Sequence, residues 1–289
     1  MATEGRRRAL GQHFLRDSAI VQQIAERAME EAAKHRCNAL LEIGPGKGAL
    51  TLPLIEILKR PSKSGDSPEI KTFLLVERDR ELAKHWQEVA QEMAPKNSEI
   101  SFQFQVQSSD FLDLAENLWL QSSPLAVVSN LPYSAGTAIL NRLARQGEKI
   151  PVMILMFQAE VAKRLRAEPS TSSRGSLSVW IQNLWDVQKF LEVPPRAFSP
   201  PPEVNSEVVV LTRRETPQIE GTIDSSGGAL WEQLLKTCFS QRRKMLRSIL
   251  NARSPWHKAL ELSGVDPTKR AEALDWQEWR QLFKAALVR

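Results

Sequence analysis

The segment Asn130-Leu131-Pro132-Tyr133 is the part of the sequence best suited to do chemistry. It follows an apolar run at 124–129 that predicts a buried strand. At the end of a strand, an amide oxygen and a backbone carbonyl can accept hydrogen bonds from an exocyclic amine, while the aromatic ring stacks on the planar ring that carries the amine. An X-Pro turn with Tyr133 covering the core is equally compatible with these four residues alone.

A second candidate site is the loop that contains Gly44, Gly46 and Gly48. It lies between the apolar run 40–43 and a helical pattern, which predicts a strand, a loop and a helix. Glycine has no Cβ, so a ligand can contact the backbone, and the helix N-terminus supplies free N–H groups. The loop also fits the G-x-G-x-x-G/A pattern through Ala49, so a dinucleotide ligand and a plain tight turn both stay open.

Glu77 is an acidic residue at the end of a second apolar run, 72–77. A carboxylate in this position can accept hydrogen bonds from both hydroxyl groups of a ribose. The polar segment 61–68 accounts for a separation from the glycines that exceeds the usual spacing of roughly twenty residues. The alternative for Glu77 is a surface charge cluster with Arg78 and Asp79, and the five apolar residues before Glu77 favour the ribose.

Asp110 is a third candidate, and it follows the alternating segment 100–106, which predicts a half-buried strand. Its carboxylate can accept a hydrogen bond from an adenine amino group. Asp is also a good N-cap, and without the other sites a cap is the favoured interpretation of Asp110.

The order of these features resembles that of a known family. The chain is similar to the S-adenosylmethionine-dependent rRNA adenine N6-dimethyltransferases, which dimethylate adjacent adenosines near the 3′ end of small-subunit rRNA. The resemblance covers nearly the whole chain, and its specificity comes from the ordered set of motifs. Besides Asp110, the matching segments are LGQHFL (10–15), EIGPG (42–46), VERD (76–79), NLPY (130–133), QAEVAKRL (158–165), LSV (177–179), FSPPPEVNS (198–206), QRRK (241–244) and KRAE (269–272).

This resemblance implies that S-adenosylmethionine is the cofactor. The loop with Gly44 and Gly46 is expected to contact the methionine part of the cofactor. Glu77 is expected to hold the ribose and Asp110 to meet the adenine amine. Asn130 is expected to contribute to both the cofactor pocket and the substrate pocket.

The same resemblance assigns residues from the two flanking motifs. His13 and Leu15 are expected to close over the cofactor, and His13 is a mild departure because asparagine is also usual there. Phe198 is expected to stack on the flipped base opposite Tyr133. Arg174 stands where the family often has tyrosine, so no role is carried over to it.

The implied reaction is methyl transfer from a sulfonium to adenine N6, which is a poor nucleophile because its lone pair is delocalised into the ring. The Asn130 side chain and the Leu131 carbonyl are expected to orient the amine and to stabilise the positive charge that develops on it. Pro132 stiffens the loop. The base must leave its helix, and stacking on Tyr133 and Phe198 offsets the cost of unstacking. No strong general base is required.

Charge and composition indicate the partner. The formal net charge of +5 and the pI near 9.3 point to an anionic partner. Basic residues cluster at 6–8, at 163–166 and at 242–247. We predict that the last cluster binds RNA phosphates from one face of a helix, although a solvated helix face is the alternative. The predicted RNA-binding residues are Arg242, Arg243, Lys244 and Arg247.

The cysteines and histidines match neither a metal site nor a disulfide framework, which fits a reducing compartment. The sequence shows neither a stretch of membrane-spanning length nor a secretion signal. We therefore expect a cytoplasmic protein that uses no metal and no membrane. The resemblance implies that its partner is small-subunit rRNA in an immature ribosomal subunit, and we expect a monomer.

Helix and strand patterns alternate from about residue 18 to residue 211. This alternation predicts an α/β fold with a doubly wound, mostly parallel sheet, and the resemblance implies that it is a methyltransferase sheet. The pattern changes after Arg214, where a polar linker (215–228) precedes a helical segment. We expect an S-adenosylmethionine-binding catalytic domain over 1–214 and a small C-terminal helical domain that binds RNA over 215–289.

Three other functions fit parts of the sequence. A non-catalytic RNA- or DNA-binding relative of the mitochondrial transcription-factor type would keep the fold without turnover. A dinucleotide oxidoreductase explains the glycine loop and Glu77 but leaves the segment 130–133 without a role. A methyltransferase of large-subunit rRNA is closer, and the long proline loop (194–202) and the Arg-Arg-Lys element favour the small-subunit type.

Overall fold

A computed structural model describes residues 13–60, 70–93, 102–223 and 225–288 of the chain. The chain separates into two compact units. The sheet unit runs up to Ala162 and also includes Gln188–Arg213. The helical unit consists of Lys163–Val187 and the chain from Arg214 onward. The sequence prediction had placed a single boundary after Arg214 and had counted 163–187 with the sheet.

The secondary structure follows the predicted alternation. The strands are β1 (Phe14–Leu15), β2 (Ala39–Ile43), β3 (Thr72–Glu77), β4 (Gln103–Ser108), β5 (Leu125–Asn130), β6 (Val152–Gln158), β7 (Trp185–Val193), β8 (Phe198–Ser199) and β9 (Ser206–Arg213). The helices are α1 (Ser18–Lys34), α2 (Thr51–Leu58), α3 (Arg80–Glu92), α4 (Gly136–Ala144), α5 (Ala159–Leu165), α6 (Ser176–Leu184), α7 (Ser225–Cys238), α8 (Leu246–Ile249), α9 (His257–Ser263) and α10 (Trp276–Leu287).

Seven of these strands form one sheet in the order β4-β3-β2-β5-β6-β9-β7. The five strands β4, β3, β2, β5 and β6 are parallel to one another, and β9 is antiparallel to β6. The predicted mostly parallel, doubly wound sheet is therefore confirmed. Strand β3 pairs with β2 on one side, and β5 pairs with β2 on the other side, so the strand order reverses at β2. Ligands of such sheets bind at the carboxyl ends of the strands, at the point where the order reverses.

Burial explains why the central strands read as unbroken apolar runs. Strands β2, β3, β5 and β6 are buried along nearly their whole length, as expected for parallel strands that are covered on both faces. The core of the sheet unit joins strand residues such as Leu40, Phe73 and Ile154 to Ile24 and Ala28 of α1. The carboxyl edge of a rigid, buried sheet can therefore hold polar groups in fixed positions.

The helical unit has its own aromatic core. The Trp231 ring meets Trp279 and Phe283 edge to face, with 5.5 Å between ring centroids in both pairs. Val179 of α6 is fully buried in the same core. This burial is the physical reason why the segment 163–187 belongs to the helical unit, which the alternation of helix and strand patterns did not reveal.

The predicted polar linker (215–228) is packed, and its last residues are helical. Helix α7 already begins at Ser225. Ile219 is buried, its N–H donates to the side-chain oxygen of Asn183 at 2.9 Å, and the Asn183 amide donates to Thr222 Oγ1 at 2.8 Å. The linker prediction is corrected accordingly, because one buried isoleucine produces no hydrophobic period that a sequence pattern can show.

Within the described residues, none of the helices has the length and apolar character needed to cross a membrane.

Candidate active site

A cavity of about 580 Å³ lies at the carboxyl ends of the central strands, entirely within the sheet unit. This volume is typical of sites that enclose a ligand the size of a nucleoside derivative, roughly 300–1,000 Å³. Residues predicted from five separate segments of the sequence meet there. The predicted residues that line the cavity are His13, Leu15, Gly44, Gly46, Glu77, Asp110, Asn130, Leu131, Pro132 and Tyr133.

The glycine loop follows β2 and has its three glycines at positive φ, +68° at Gly44, +55° at Gly46 and +83° at Gly48. A Cβ added to Gly44 would have no neighbour within 4 Å, so this part of the backbone is open to a ligand. A Cβ on Gly48 would lie 2.4 Å from the Trp86 ring. The Trp86 indole N–H also donates to the Gly46 carbonyl at 2.9 Å, so helix α3 supports the loop from behind.

Glu77 ends β3 and is buried. Its two carboxylate oxygens accept hydrogen bonds from the Gly46 N–H at 3.0 Å and from the Asp79 N–H at 2.8 Å. Burial raises the pKa of Glu77, and these hydrogen bonds oppose that shift. A carboxylate accepts about four hydrogen bonds, so acceptor capacity is left for a ligand. Asp79 caps α3 instead of forming a charge cluster with Glu77.

Asp110 begins a turn and also faces the cavity. Its Oδ1 accepts a hydrogen bond from the Leu112 N–H at 3.0 Å, as in a cap, and its Oδ2 lies 3.3 Å from the guanidinium of Arg78. The residue also lines the cavity. The predicted hydrogen bond from an adenine amine to Asp110 stays a prediction.

Arg142 of α4 holds the turn that follows Asp110, and sequence reasoning missed it. Its guanidinium donates to the backbone carbonyls of Phe111 and Leu114. The guanidinium also lies over the rings of Phe111 and Trp119, at 5.1 and 5.7 Å from their centroids. Since Phe111 lines the cavity, Arg142 fixes part of the cavity wall from outside. The contacts join residues 28 and 31 positions apart, and a sequence pattern carries no signal of them.

Asn130 lies at the end of β5, next to β2 in the sheet. The Ser129 hydroxyl donates to the Ile43 carbonyl and joins these two strands at the point where the strand order reverses. The Asn130 amide nitrogen lies 3.5 Å from the His13 carbonyl and donates to it. This orientation leaves the amide oxygen of Asn130 as the group that can accept from a ligand.

The N-terminal strand closes one side of the cavity. Strand β1 pairs antiparallel with β8, with Leu15 opposite Phe198, and His13 Nδ1 lies 2.8 Å from the Pro200 carbonyl. The side chain of Phe198 is buried in the core of the sheet unit and is absent from the described residues that line the cavity. The stacking role of Phe198 therefore gains no support from this arrangement and stays a prediction. Residues 10–12 of the motif lie outside the described part of the chain.

Glu42 is a buried titratable residue of the cavity to which sequence reasoning gave no role. Burial raises its pKa to about 8, against an opposing hydrogen bond from Thr51 Oγ1 at 2.8 Å and with a smaller contribution from the Glu77 charge. The sequence shows that Glu42 lies in a strand next to the glycine loop. It does not show that Glu42 is buried, and burial is what shifts its pKa.

The predicted RNA-binding cluster lies in the helical unit, and of its four residues Arg247 is in a helix, α8. Arg242, Arg243 and Lys244 form a turn between α7 and α8, which corrects the helix predicted there. Arg242 donates to the carbonyls of Ser172 at 2.6 Å and Arg174 at 3.1 Å. Its guanidinium therefore holds the segment 172–174 in place. Arg243, Lys244 and Arg247 are exposed.

Arg174, to which no role was assigned, is a buried guanidinium of the helical unit. Burial lowers its pKa to about 10. It donates to the Ala167 carbonyl at 2.9 Å and lies 5.7 Å from the centroid of the Trp276 ring. These contacts assign Arg174 to packing. Among the described residues, no group of three or more His, Cys, Asp or Glu side chains is placed to hold a metal ion.

The sheet, the open glycine loop and the polar groups after β3, β4 and β5 define the class of S-adenosylmethionine-dependent methyltransferases. The residues present fit this cofactor, because an accessible backbone at Gly44, a carboxylate at Glu77 and an amide at Asn130 line one cavity.

Comparison with known proteins identifies the family within this class. A sequence model described as ribosomal RNA adenine dimethylase matches residues 4–287. The ribosomal RNA small subunit methyltransferase A of Dichelobacter nodosus is 35% identical over 282 residues, which cover 97% of this chain and 95% of the relative. The chain belongs to the ribosomal RNA adenine dimethylase family. It is an rRNA adenine dimethyltransferase that uses S-adenosylmethionine, as the sequence predicted.

Solved structures agree with this fold. A dimethyladenosine transferase from Plasmodium falciparum superimposes with a TM-score of 0.70 at 21% identity, covering 93% of this chain and 96% of that one. The 23S rRNA methyltransferase ErmE superimposes with a TM-score of 0.64 at 25% identity, covering 94% and 98%.

Gly48→Ala tests the support of the glycine loop by Trp86. The added Cβ must displace a buried ring, which costs about 1–3 kcal/mol beyond the cost of positive φ. Gly147→Ala is the matched control, because Gly147 also has positive φ (+61°) but open space around it. Urea denaturation is expected to show a lower free energy of unfolding for Gly48→Ala than for Gly147→Ala. Equal losses in the two variants would contradict the proposed contact.

Glu42→Gln tests the buried carboxyl. Folding raises the pKa of Glu42 from 4.5 to about 8, so the folded state holds a proton that the unfolded state releases. Wild-type stability must therefore decrease as pH rises through this window. A glutamine does not titrate. The melting temperature of the variant should therefore rise relative to that of the wild type as the pH increases from about 5 to about 8. Glu56→Gln, which changes an exposed residue of α2, is the control. If the difference in melting temperature between Glu42→Gln and the wild type is constant over this pH range, Glu42 is already ionised.

Proposed function

We propose that this enzyme dimethylates N6 of two adjacent adenosines near the 3′ end of small-subunit rRNA, in an immature ribosomal subunit. One observation carries the reaction: the segment Asn130-Leu131-Pro132-Tyr133 lines the same cavity as Gly44, Glu77 and Asp110. Groups suited to a target amine and groups suited to a nucleoside cofactor thus share one space. The name of the Dichelobacter nodosus relative, which specifies the small subunit, supports the choice of rRNA.

The cofactor residues act by binding and orientation. S-adenosylmethionine supplies an electrophilic methyl group when it is bound. The open backbone at Gly44, in the loop that also contains Gly46, receives the amino-acid part of the cofactor. Glu77 accepts from the ribose hydroxyls with the acceptor capacity that its backbone hydrogen bonds leave. Asp110 accepts from the adenine amine, and its turn is held by Arg142.

The substrate residues act on the target amine. The Asn130 amide oxygen and the Leu131 carbonyl accept hydrogen bonds from the two N–H groups of adenine N6. These hydrogen bonds favour a pyramidal nitrogen and stabilise the positive charge that develops on it. Pro132 fixes the loop, and Tyr133 stacks on the flipped base. No strong base is needed, because the alkylated nitrogen is acidic enough to lose its proton readily. Positioning of the amine provides the remaining rate enhancement.

The helical unit supplies charge for RNA binding in this proposal. Arg243, Lys244 and Arg247 are exposed, so they can neutralise phosphates. Arg242 acts indirectly by holding the segment 172–174. We propose that the enzyme works as a monomer in the cytoplasm, because assembling ribosomal subunits there present its substrate.

Two alternatives are separated by experiment. A non-catalytic relative of the transcription-factor type is not favoured, because the cavity keeps the full set of cofactor and amine-binding residues. The similarity to the 23S rRNA methyltransferase ErmE makes large-subunit rRNA the competing substrate. Mapping of modified nucleotides by mass spectrometry, after incubation of the enzyme with unmethylated small subunits or with large-subunit rRNA, distinguishes them.

Asn130→Ala is expected to lose at least about 100-fold in methyl transfer, the size of effect seen when one preorganised hydrogen-bond acceptor or donor at a reacting group is removed. Its affinity for rRNA should stay close to that of the wild type, because binding rests on basic residues elsewhere. Transfer of labelled methyl groups and filter binding measure the two properties. The control is Asn38→Ala, which removes an exposed asparagine before β2. Wild-type turnover by Asn130→Ala would remove Asn130 from the reaction.

Arg243→Gln combined with Lys244→Gln tests the RNA surface. Each phosphate contact contributes about 0.7–0.9 to the slope of log affinity against log salt concentration. The double variant should therefore bind RNA with a slope shallower by about 1.4–1.8 and with an unchanged melting temperature. Lys84→Gln, on the exposed side of α3, serves as the control. An unchanged slope in the double variant would assign Arg243 and Lys244 to a solvated surface.

A further inference from the structure

The hydroxyl group of Tyr133 has a partner to which neither the reaction nor the sequence motifs assign a role. Tyr133 Oη lies 2.7 Å from the Oγ of Ser206. Tyr133 lines the cavity, whereas Ser206 is fully buried and is absent from the described residues that line it. Ser206 can therefore reach a substrate only through Tyr133.

The position of Ser206 is set by the sheet. Ser206 begins β9, opposite Gln158 in the antiparallel pair of β9 with β6. The preceding carbonyl, that of Asn205, accepts a hydrogen bond from the Ala159 N–H at 2.9 Å. The backbone at Ser206 is thus held by the pairing of β9 with β6, and its hydroxyl is a fixed point for a side chain on a neighbouring loop.

The Tyr133 ring needs such a fixed point. It follows a proline in the loop between β5 and α4 and is only partly buried. The His13 ring is a neighbour on the cavity side, at 5.7 Å between centroids and tilted by 32°. A hydrogen bond at the far end of the phenol restricts both side-chain torsions, so less ordering remains to be done when a base stacks on the ring.

We propose that Ser206 is a positioning residue for methyl transfer, whose hydroxyl holds the Tyr133 ring in the orientation that receives the flipped adenine. This inference rests on the proposed stacking role of Tyr133. Since Ser206 is buried and is not among the described residues that line the cavity, its loss should lower the rate at which bound RNA reacts and leave the binding of both ligands unchanged.

The kinetic test is a double-mutant cycle of Ser206→Ala, Tyr133→Phe and the double variant. Both single substitutions remove the same hydrogen bond and keep the ring. Each is expected to lower kcat about 2- to 10-fold, the range for one hydrogen bond, with unchanged KM for the rRNA substrate and unchanged Kd for S-adenosylmethionine. The double variant should match the single variants. Effects that multiply in the double variant would overturn the inference.

A spectroscopic test reports on the ring itself, because Tyr133 is the only tyrosine in the chain. Protein labelled with ring-¹³C tyrosine gives signals from this one side chain. Relaxation of these signals should show a more mobile ring in Ser206→Ala than in the wild type. Identical relaxation in the two proteins would show that Ser206 does not hold the ring.

Two controls separate this inference from the proposed function and from simple packing. Ser178→Ala removes another fully buried serine hydroxyl, in the helical unit, and is expected to lower stability without changing kcat. If Ser206→Ala behaves like Ser178→Ala, Ser206 is structural only. Tyr133→Ala tests the stacking role, and a wild-type kcat in this variant would refute the proposed function of Tyr133. If kcat falls in Tyr133→Ala but equals that of the wild type in Ser206→Ala, only the positioning role of Ser206 is refuted.

Discussion

The buried carboxylate of Glu77 is the constraint on which the site depends. A buried charge is costly unless it is hydrogen-bonded, and Glu77 meets this need with the N–H groups of Gly46 and Asp79. Asp79 in turn caps α3, and Trp86 of that helix returns to the carbonyl of Gly46. This closed set of hydrogen bonds joins the ends of two neighbouring strands and holds the glycine loop in an open conformation.

The other walls of the cavity follow the same design, in which a side chain from a rigid element holds a loop from behind. Arg142 on α4 holds the turn after Asp110, and Ser206 on β9 holds the ring of Tyr133. The chemistry explains this arrangement. An enzyme that alkylates a weak nucleophile without a strong base relies on positioning and on fixed dipoles, and both require that loops are ordered before the substrate arrives.

The structure adds contacts that a residue type in the sequence does not indicate. The charge run at Arg242 indicated RNA, yet its guanidinium is bound to backbone carbonyls of its own unit. Phe198 matched a family motif, yet its ring lies in the core of the sheet unit. The segment 215–228 looked like a free linker because its two isoleucines form no hydrophobic period, although Ile219 is buried and anchors it. A charge or an aromatic ring in a sequence specifies what a side chain can contact but not which contact it makes.

Local patterns alone determined the helix at Arg80–Glu92, the buried parallel strands and the order of the polar groups at their carboxyl ends, because periodicity, capping and strand burial act over a few residues. The family also followed from the order of short motifs. Only the tertiary structure showed the contacts of Trp86, Arg142 and Ser206, since these contacts span 40, 31 and 73 residues. Such contacts depend on how the sheet brings distant segments together, which no local pattern records.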